Sequence, residues 1–388
     1  MKLFQIHSSS LAENNGSNVH ALELFQNITD LGIDVTIFSR KSKKNKCNNT
    51  KMIQVPFVDH KYLKEFSFQL MLFIYIINYS ITQKPDIMYS RQSNNSFAPA
   101  IASYITKIPY VVEINGFIID EMRMNRQSSL EIKFAQICES LNYYLCKKII
   151  AVTNGIKISL QDMYSVPEEK IIVINNGANT DLFKPMNKTE AKNLLSLSLS
   201  DTHICFVGNL APWQGVEYLI EASPIILKKY PRIKFLIVGN GPIKETLIQL
   251  AKEKSVLDYF LFVGSVPYEK VSLYINSSAI CVAPFVNNRN EKIGLSALKM
   301  YEYLACNKPI VASDISGVGD LLDKSGGGIK VPPEDTNELA SAIIKLIDNN
   351  DLRCKMGYNG RNYVVFNHSW KLVAKKVIDV CENTLKEA

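Results

Sequence analysis

Short apolar runs of β type alternate with longer amphipathic stretches along this chain, and the series is gone through twice. In the first half Leu3–His7, Val35–Ser39, Met52–Val55, Ile87–Tyr89, Tyr110–Glu113, Lys148–Thr153 and Ile171–Ile174 read as strands. Val19–Leu31 reads as a helix, with apolar residues at 19, 22, 24, 25 and 28 and Gly32 closing it. In the second half Ile204–Gly208, Lys234–Val238, Leu261–Val263, Ala279–Ala283 and Pro309–Ala312 are β-like, separated by helical stretches such as Gly215–Lys229 and Ile243–Lys254. Strand–helix alternation of this kind implies parallel sheets covered by helices on both faces, an α/β fold. The strand count suits two doubly wound domains, which also fits 388 residues at roughly 100–200 residues per domain. The junction is expected between Asn176 and Ser200, where Asn175-Asn176-Gly177, Pro185 and Asn187-Lys188 are turn and loop signals.

Composition narrows the function class. With 47% hydrophobic and 21% charged residues the chain is neither disordered nor fibrous. Eight cysteines at 47, 138, 146, 205, 281, 306, 354 and 381 form no C-x-x-C pair, so buried free thiols in a reducing, cytoplasmic setting are expected. Met1 leads directly into a strand-like run without a secretory pattern. The most apolar helical run, Phe66 to Ile77, is shorter than the ~20 residues that span a bilayer, and is expected to be buried or interfacial. The net charge is +7, and Arg40, Lys41, Lys43, Lys44, Lys46 and Lys51 crowd a segment without Asp or Glu. Residues 40–51 are either a solvated loop or a contact for an anionic membrane surface. No nucleic-acid signature accompanies them.

Several chemistries lack their motifs. There is no G-x-G-x-x-G, no Walker A and no G-x-S-x-G. There is no D-x-D pair, and the five histidines are not at zinc spacing, so no metal is expected. What is present is a strand, a glycine-containing turn and a helix at the start of each half: Asn14-Asn15-Gly16-Ser17 in the first, Val207-Gly208-Asn209-Leu210 through Gln214-Gly215 in the second. Such a turn offers backbone N–H groups to an anion, although a tight strand–helix turn needs glycine for itself. From Gly294 to Ala305 the chain reads as a loop, an N-cap at Ser296 and a helix carrying Lys299 and Glu302 on one face. A cation in a first helical turn is unfavourable by about 0.3–1 kcal/mol. An anion docking there would give Lys299 its reason, and a surface Lys–Glu pair is the alternative.

Taken in order, these pieces resemble the large family of retaining glycosyltransferases with two Rossmann-like domains, the GT-B architecture of family 4, over nearly the whole chain. The resemblance rests on Gly16 in the first glycine loop, on Asn175-Asn176-Gly177-Ala178-Asn179-Thr180-Asp181-Leu182-Phe183-Lys184-Pro185, and on Val207-Gly208-Asn209-Leu210 with Gln214-Gly215. It continues through Val238-Gly239-Asn240-Gly241-Pro242, Glu302-Tyr303-Leu304-Ala305-Cys306-Asn307-Lys308-Pro309-Ile310-Val311-Ala312 and Gly328-Ile329-Lys330-Val331-Pro332-Pro333. Ser296-Ala297-Leu298-Lys299-Met300-Tyr301-Glu302-Tyr303-Leu304-Ala305 resembles a variant of the family's motif, SPLKxxEYMA.

The resemblance implies two domains facing across a cleft. Residues 1–180 would bind the acceptor, residues 181–370 the nucleotide sugar, and a final helix near 371–388 would pack back on the first domain. It implies transfer from a nucleotide-diphosphate sugar, with retention and without cofactor or metal, to a glycan or lipid-linked acceptor in cell-surface polysaccharide biosynthesis. The enzyme would be cytoplasmic or peripheral on the membrane, and in retaining relatives the leaving diphosphate helps to deprotonate the acceptor. Glu302 matches the glutamate that binds the nucleotide ribose, while its partner glutamate falls at Gly294. The family's diphosphate-binding Arg and Lys fall at Asn209 and Gln214, leaving Lys299 to replace one charge and Lys292 or Arg289 the other. Gly208, Gly215, Gly239, Gly241, Leu295, Ser296 and Leu298 complete the expected donor site. Gly16, Ser17, Arg91, Glu113, Asn115 and Gly116 are the expected acceptor site, where Arg91 either meets a phosphate or braces the cleft. A nucleotide-sugar epimerase or phosphorylase on the same fold, and a non-catalytic sugar-nucleotide-binding subunit, remain open as alternatives.

Overall fold

A computed structural model describes residues 1–12, 15–42, 51–60, 63–93, 95–117, 119, 122, 127–287 and 292–387. The chain divides into two compact units, Met1–Asn175 with Lys371–Ala388, and Asn176–Trp370.

The first unit is built on β1 (Lys2–Ile6), β2 (Asp34–Arg40), β3 (Met52–Val55), β4 (Ile87–Arg91), β5 (Tyr110–Ile114), β6 (Lys148–Ala151) and β7 (Ile171–Val173). They form one sheet in the order β3-β2-β1-β4-β5-β6-β7, with every pairing parallel. The second unit carries β8 (Thr202–Val207), β9 (Ile233–Val238), β10 (Phe260–Gly264), β11 (Ile280–Ala283), β12 (Ile310–Ser313) and β13 (Gly328–Val331), ordered β10-β9-β8-β11-β12-β13 and also all parallel. In each sheet the order reverses beside the first strand, between β1 and β4 and between β8 and β11. Open α/β sheets bind ligands beyond the carboxyl ends of the strands at such a point.

Alternation along the strands builds the core on both faces of the second sheet. Ile204, Phe206, Phe235, Ile237, Ile280 and Val282 pack into one cluster. Their neighbours Cys205, Leu236, Val238, Cys281 and Ala283 pack into another, as a two-residue period requires. Of the cysteines described, all free, Cys354 is exposed and the others are buried.

In the first unit the helices Lys64–Gln83, Ala98–Thr106 and Ser129–Leu145 are neighbours. Gln69 Oε1 accepts from the N–H groups of Phe97 and Ala98 at 3.2 and 3.1 Å, and Asn142 Nδ2 donates to the Ser96 carbonyl. The helix Lys64–Gln83 buries Phe68, Leu72 and Ile76 against the sheet, yet Phe66, Leu70, Ile74 and Ile81 face outward, 41–68% exposed. The helix Ser129–Leu145 likewise turns Leu130, Phe134, Ile137 and Tyr144 outward. Among the described residues no helix is long and apolar enough to cross a membrane.

Candidate active site

The switch point of the second unit is assembled by glycine turns. Gly208 follows β8 with φ +147°, and its N–H donates to the Val238 carbonyl at 2.9 Å. Leu210 N–H donates to the Asn240 carbonyl at 2.9 Å, so the turn after β8 runs along the Val238–Gly241 turn after β9. A Cβ on Gly239 would lie 1.9 Å from the Gly208 carbonyl oxygen, and one on Gly241 would lie 2.2 Å from that of Leu210. These close approaches are the reason both positions are glycine. Asn209 reaches the same place, its Oδ1 2.6 Å from where a Gly241 Cβ would be. Gly215, with φ +67°, ends the short turn Pro212–Gln214 and starts the helix Val216–Lys229, whose N-terminus has no side-chain cap.

Lys299 comes to this turn from the helix Leu298–Ala305. Its Nζ donates to Gln214 Oε1 at 2.6 Å and lies 3.9 Å from the Phe206 ring centroid and 5.2 Å from that of Phe285. A Cβ on Gly208 would stand 2.6 Å from it. The Lys299 and Glu302 side chains are thus not a surface pair: the two residues are only 8% and 6% exposed. Burial pulls the Lys299 pKa down to about 7, against the pull of the Glu302 carboxylate, which favours the charged form. The first-turn position of Lys299 is as expected, but the cost of the cation there comes from lost hydration more than from the helix dipole.

Ser296 is not the N-cap. The helix begins at Leu298 behind Ala297, which is extended and makes no side-chain cap. The Ser296 hydroxyl accepts from Asn176 N–H at 2.9 Å, its carbonyl accepts from Asn176 Nδ2 at 2.6 Å, and the hydroxyl is 3.0 Å from Tyr301 OH. Leu295 N–H donates to the Ser316 carbonyl at 2.9 Å beside Gly294, which has φ +67°. Lys292 is exposed, and Arg289 lies outside the described residues.

The first unit has a second constellation at its own switch point. Gly16 opens the helix Gly16–Asp30, three residues earlier than the apolar period indicates, because the Asn15 side chain caps Asn18 N–H at 3.0 Å. Arg91, at the end of β4, donates to the carbonyl and hydroxyl of Ser17 at 3.0 and 2.6 Å. It is 4.0 Å from Glu113. Glu113 is buried, with His20 Nε2 at 3.2 Å, and it accepts from Tyr89 OH and Asn115 Nδ2. Burial works against ionising Glu113, but His20, then Arg91 and the Tyr89 hydroxyl outweigh it and hold the pKa down to about 2. Arg91 thereby ties the end of β4 to the Ser17 turn within the first unit. Beside it lies a cavity of about 370 Å³ lined by Ser8, Ser9, Ser17, Arg40, Glu65, Arg91, Gln92, Ser93, Asn115 and Gly116. Arg40 faces Glu65 in a two-pronged pair at 3.0 and 2.6 Å. Of the basic segment 40–51, Arg40 is therefore spent on Glu65 and Lys51 pairs with Asp34 at 3.0 Å, while residues 43–50 lie outside the described residues.

His20, Tyr89 and Gln214's acceptor role carry no local sequence signal, since each meets its partner from a distant segment. Among the described residues no three His, Cys, Asp or Glu side chains are grouped to hold a metal ion.

Residues 187–384 match the family model described as "Glycosyl transferases group 1", and residues 14–182 match "Glycosyltransferase Family 4". The chain is a family 4 glycosyltransferase of group 1. A D-inositol 3-phosphate glycosyltransferase of Thermobispora bispora is 21% identical to it over 408 residues, covering 98% of this chain and 94% of the relative. Among solved structures, the sucrose-phosphate synthase of Thermosynechococcus elongatus superimposes with a TM-score of 0.81 at 19% identity, covering 100% of both chains. Anabaena HepE, solved in complex with UDP-glucose, gives a TM-score of 0.79 at 15% identity over 99% of this glycosyltransferase and 100% of that chain. These likenesses establish its fold as GT-B, two doubly wound parallel sheets.

Proposed function

We propose that this glycosyltransferase takes its sugar from a nucleotide-diphosphate sugar held at the β8/β11 switch point and transfers it, with retention, to a hydroxyl of a glycan or lipid-linked acceptor in cell-surface glycan synthesis. The observation that carries the reading is the buried ammonium of Lys299, set against the Gly208 turn with the amide oxygen of Gln214 as its hydrogen-bonded partner. A cation buried among Phe206 and Phe285 is costly until an anion joins it. A diphosphate there would meet Lys299 and the uncapped helix N-terminus behind Gly215, a pre-set positive potential for the departing phosphate. That potential does the work a metal ion does elsewhere. Glu302, on the same helix one turn on, would receive the ribose hydroxyls. Anabaena HepE was solved with UDP-glucose, which makes a uridine donor the first to try.

The cavity of the first unit is the acceptor site in this reading. Its two guanidinium groups are already engaged by Glu65 and by Ser17, which suits a hydroxyl-rich acceptor group better than a second phosphate.

The test is release of UDP from a panel of UDP-sugars with glycan and lipid-linked acceptors, in EDTA, for the parent and Glu302→Ala. Acceptor-dependent release that survives EDTA and is lost in Glu302→Ala, with circular dichroism unchanged, is expected. Donor binding without release across the panel would instead mark a non-catalytic binding subunit.

A further inference from the structure

Helices that cover a sheet normally turn polar residues to water. In the first unit the three neighbouring helices Lys64–Gln83, Ala98–Thr106 and Ser129–Leu145 turn large apolar residues outward as well. Between Phe66 and Gln83 there is no charged residue at all. The middle helix adds Tyr104 and Ile105, 62% and 56% exposed. Half of the exposed large hydrophobic residues described belong to these three helices, whereas scattered single ones would need no explanation.

The helices lead into β4, β5 and β6 of one parallel sheet, so all three run against the strand direction and parallel to one another. Right-handed crossovers advancing in one direction place them on a single face. They therefore end along the same edge, and each is followed by an exposed lysine: Lys84, Lys107 and Lys147. Lys107 Nζ stands 4.4 Å from the Tyr104 ring centroid, joining the basic edge to the apolar face. Of the acidic residues beside the face, Glu65 is engaged by Arg40, Glu131 by the helix start at Ser128, and Asp86, two residues after Lys84, by the Lys2 N–H at 2.6 Å.

We infer that this three-helix face is a docking surface for an anionic lipid bilayer, its outward side chains entering the interface and its lysine edge meeting the headgroup phosphates. An apolar face bordered by basic residues is the pattern of interfacial binding, and none of the described helices can span the bilayer. The inference stands on this surface alone and not on the donor reading.

The test is co-sedimentation of the whole protein with phosphatidylcholine vesicles, with and without phosphatidylglycerol. Two variants are compared, Phe66→Ser/Ile74→Ser/Ile137→Ser and Lys84→Ser/Lys107→Ser/Lys147→Ser. The parent is expected to bind the anionic vesicles, less tightly as salt rises. The apolar variant should lose on the order of tenfold per side chain, and the lysine variant about fivefold per lysine at low salt. Unchanged melting curves show that both are folded. Absence of vesicle binding by the parent overturns the inference, as does a parent dimer that the apolar variant dissociates while vesicles stay unbound. Vesicle binding by a parent that transfers no sugar would strike only the donor reading, and transfer without vesicle binding would strike only the docking surface.

Discussion

At the β4–β5 end of the first unit a carboxylate is buried, and at the β8–β11 end of the second an ammonium is. Glu113 is met by His20, Tyr89, Asn115 and, at 4.0 Å, Arg91. Lys299 is met by an amide oxygen and the faces of two phenyl rings. The consequence is opposite in sign: Glu113 is held in its charged form, with a pKa of about 2, while Lys299 is pushed toward its neutral form, with a pKa of about 7. The first constellation is complete by itself and holds its turn and strand ends in place, as Arg91 does in gripping Ser17. In the second, the Glu302 carboxylate favours the charged form of Lys299 but does not outweigh burial. Equivalent points of one topology thus hold a finished brace in one unit and, as proposed, an unfinished binding site in the other.

The largest effect should come from breaking the finished one. Glu113→Ala leaves Arg91 beside an empty carboxylate site and is expected to cost about 3–5 kcal/mol, read by urea denaturation. The same group shapes the acid limb. Between pH 4.5 and about 2 the unfolded chain takes up a proton that folded Glu113 refuses, so stability falls as pH falls through that window. Glu113→Gln should flatten this slope.

Breaking the unfinished site should affect catalysis instead. Lys299→Met is expected to lower kcat/KM by about 10²–10³-fold, as loss of one pre-set charge-stabilising donor does, without lowering the melting temperature of the ligand-free protein. From pH 7 to 10.5 the unfolded chain holds the lysine proton that the folded one has lost. This group's contribution to stability therefore rises with pH across that window, its penalty being complete below 7. The mutant should lack that rise. A smaller change sharpens the same point: an Ala Cβ at Gly208 would crowd Lys299 Nζ at 2.6 Å in a backbone conformation alanine avoids, weakening UDP binding by about 1–3 kcal/mol.

The sequence made the scaffold legible and the two constellations only in part. Met52–Val55 is a strand over those same residues, and most other strands end within one or two residues of their apolar runs, because a buried parallel strand is a short uninterrupted apolar run. The helix at Gly16 began early because a cap, not a period, starts it. Ser296 looked like a cap because serine before an apolar run usually is one, but Asn176, 120 positions away, claims its hydroxyl. Lys299 could be singled out from its first-turn position and from the missing charges at Asn209 and Gln214. That Gln214 is its partner depends on a contact spanning 85 positions, and the Glu113–His20 contact likewise joins a strand to a distant helix. Local spacing carries no trace of either.

The central claim is that Lys299 awaits a diphosphate, and proton uptake on binding tests it most directly. Titration calorimetry with UDP at pH 8, in two buffers of different ionisation enthalpy, counts the protons taken up. Ligand-free Lys299, with a pKa of about 7, is mostly neutral at that pH, and an adjoining phosphate restores its charge. The parent should therefore take up nearly one proton per UDP, and Lys299→Met close to none. Equal uptake by both proteins, or tight UDP binding by the parent with no proton exchanged, would contradict the assignment and place the diphosphate away from Lys299.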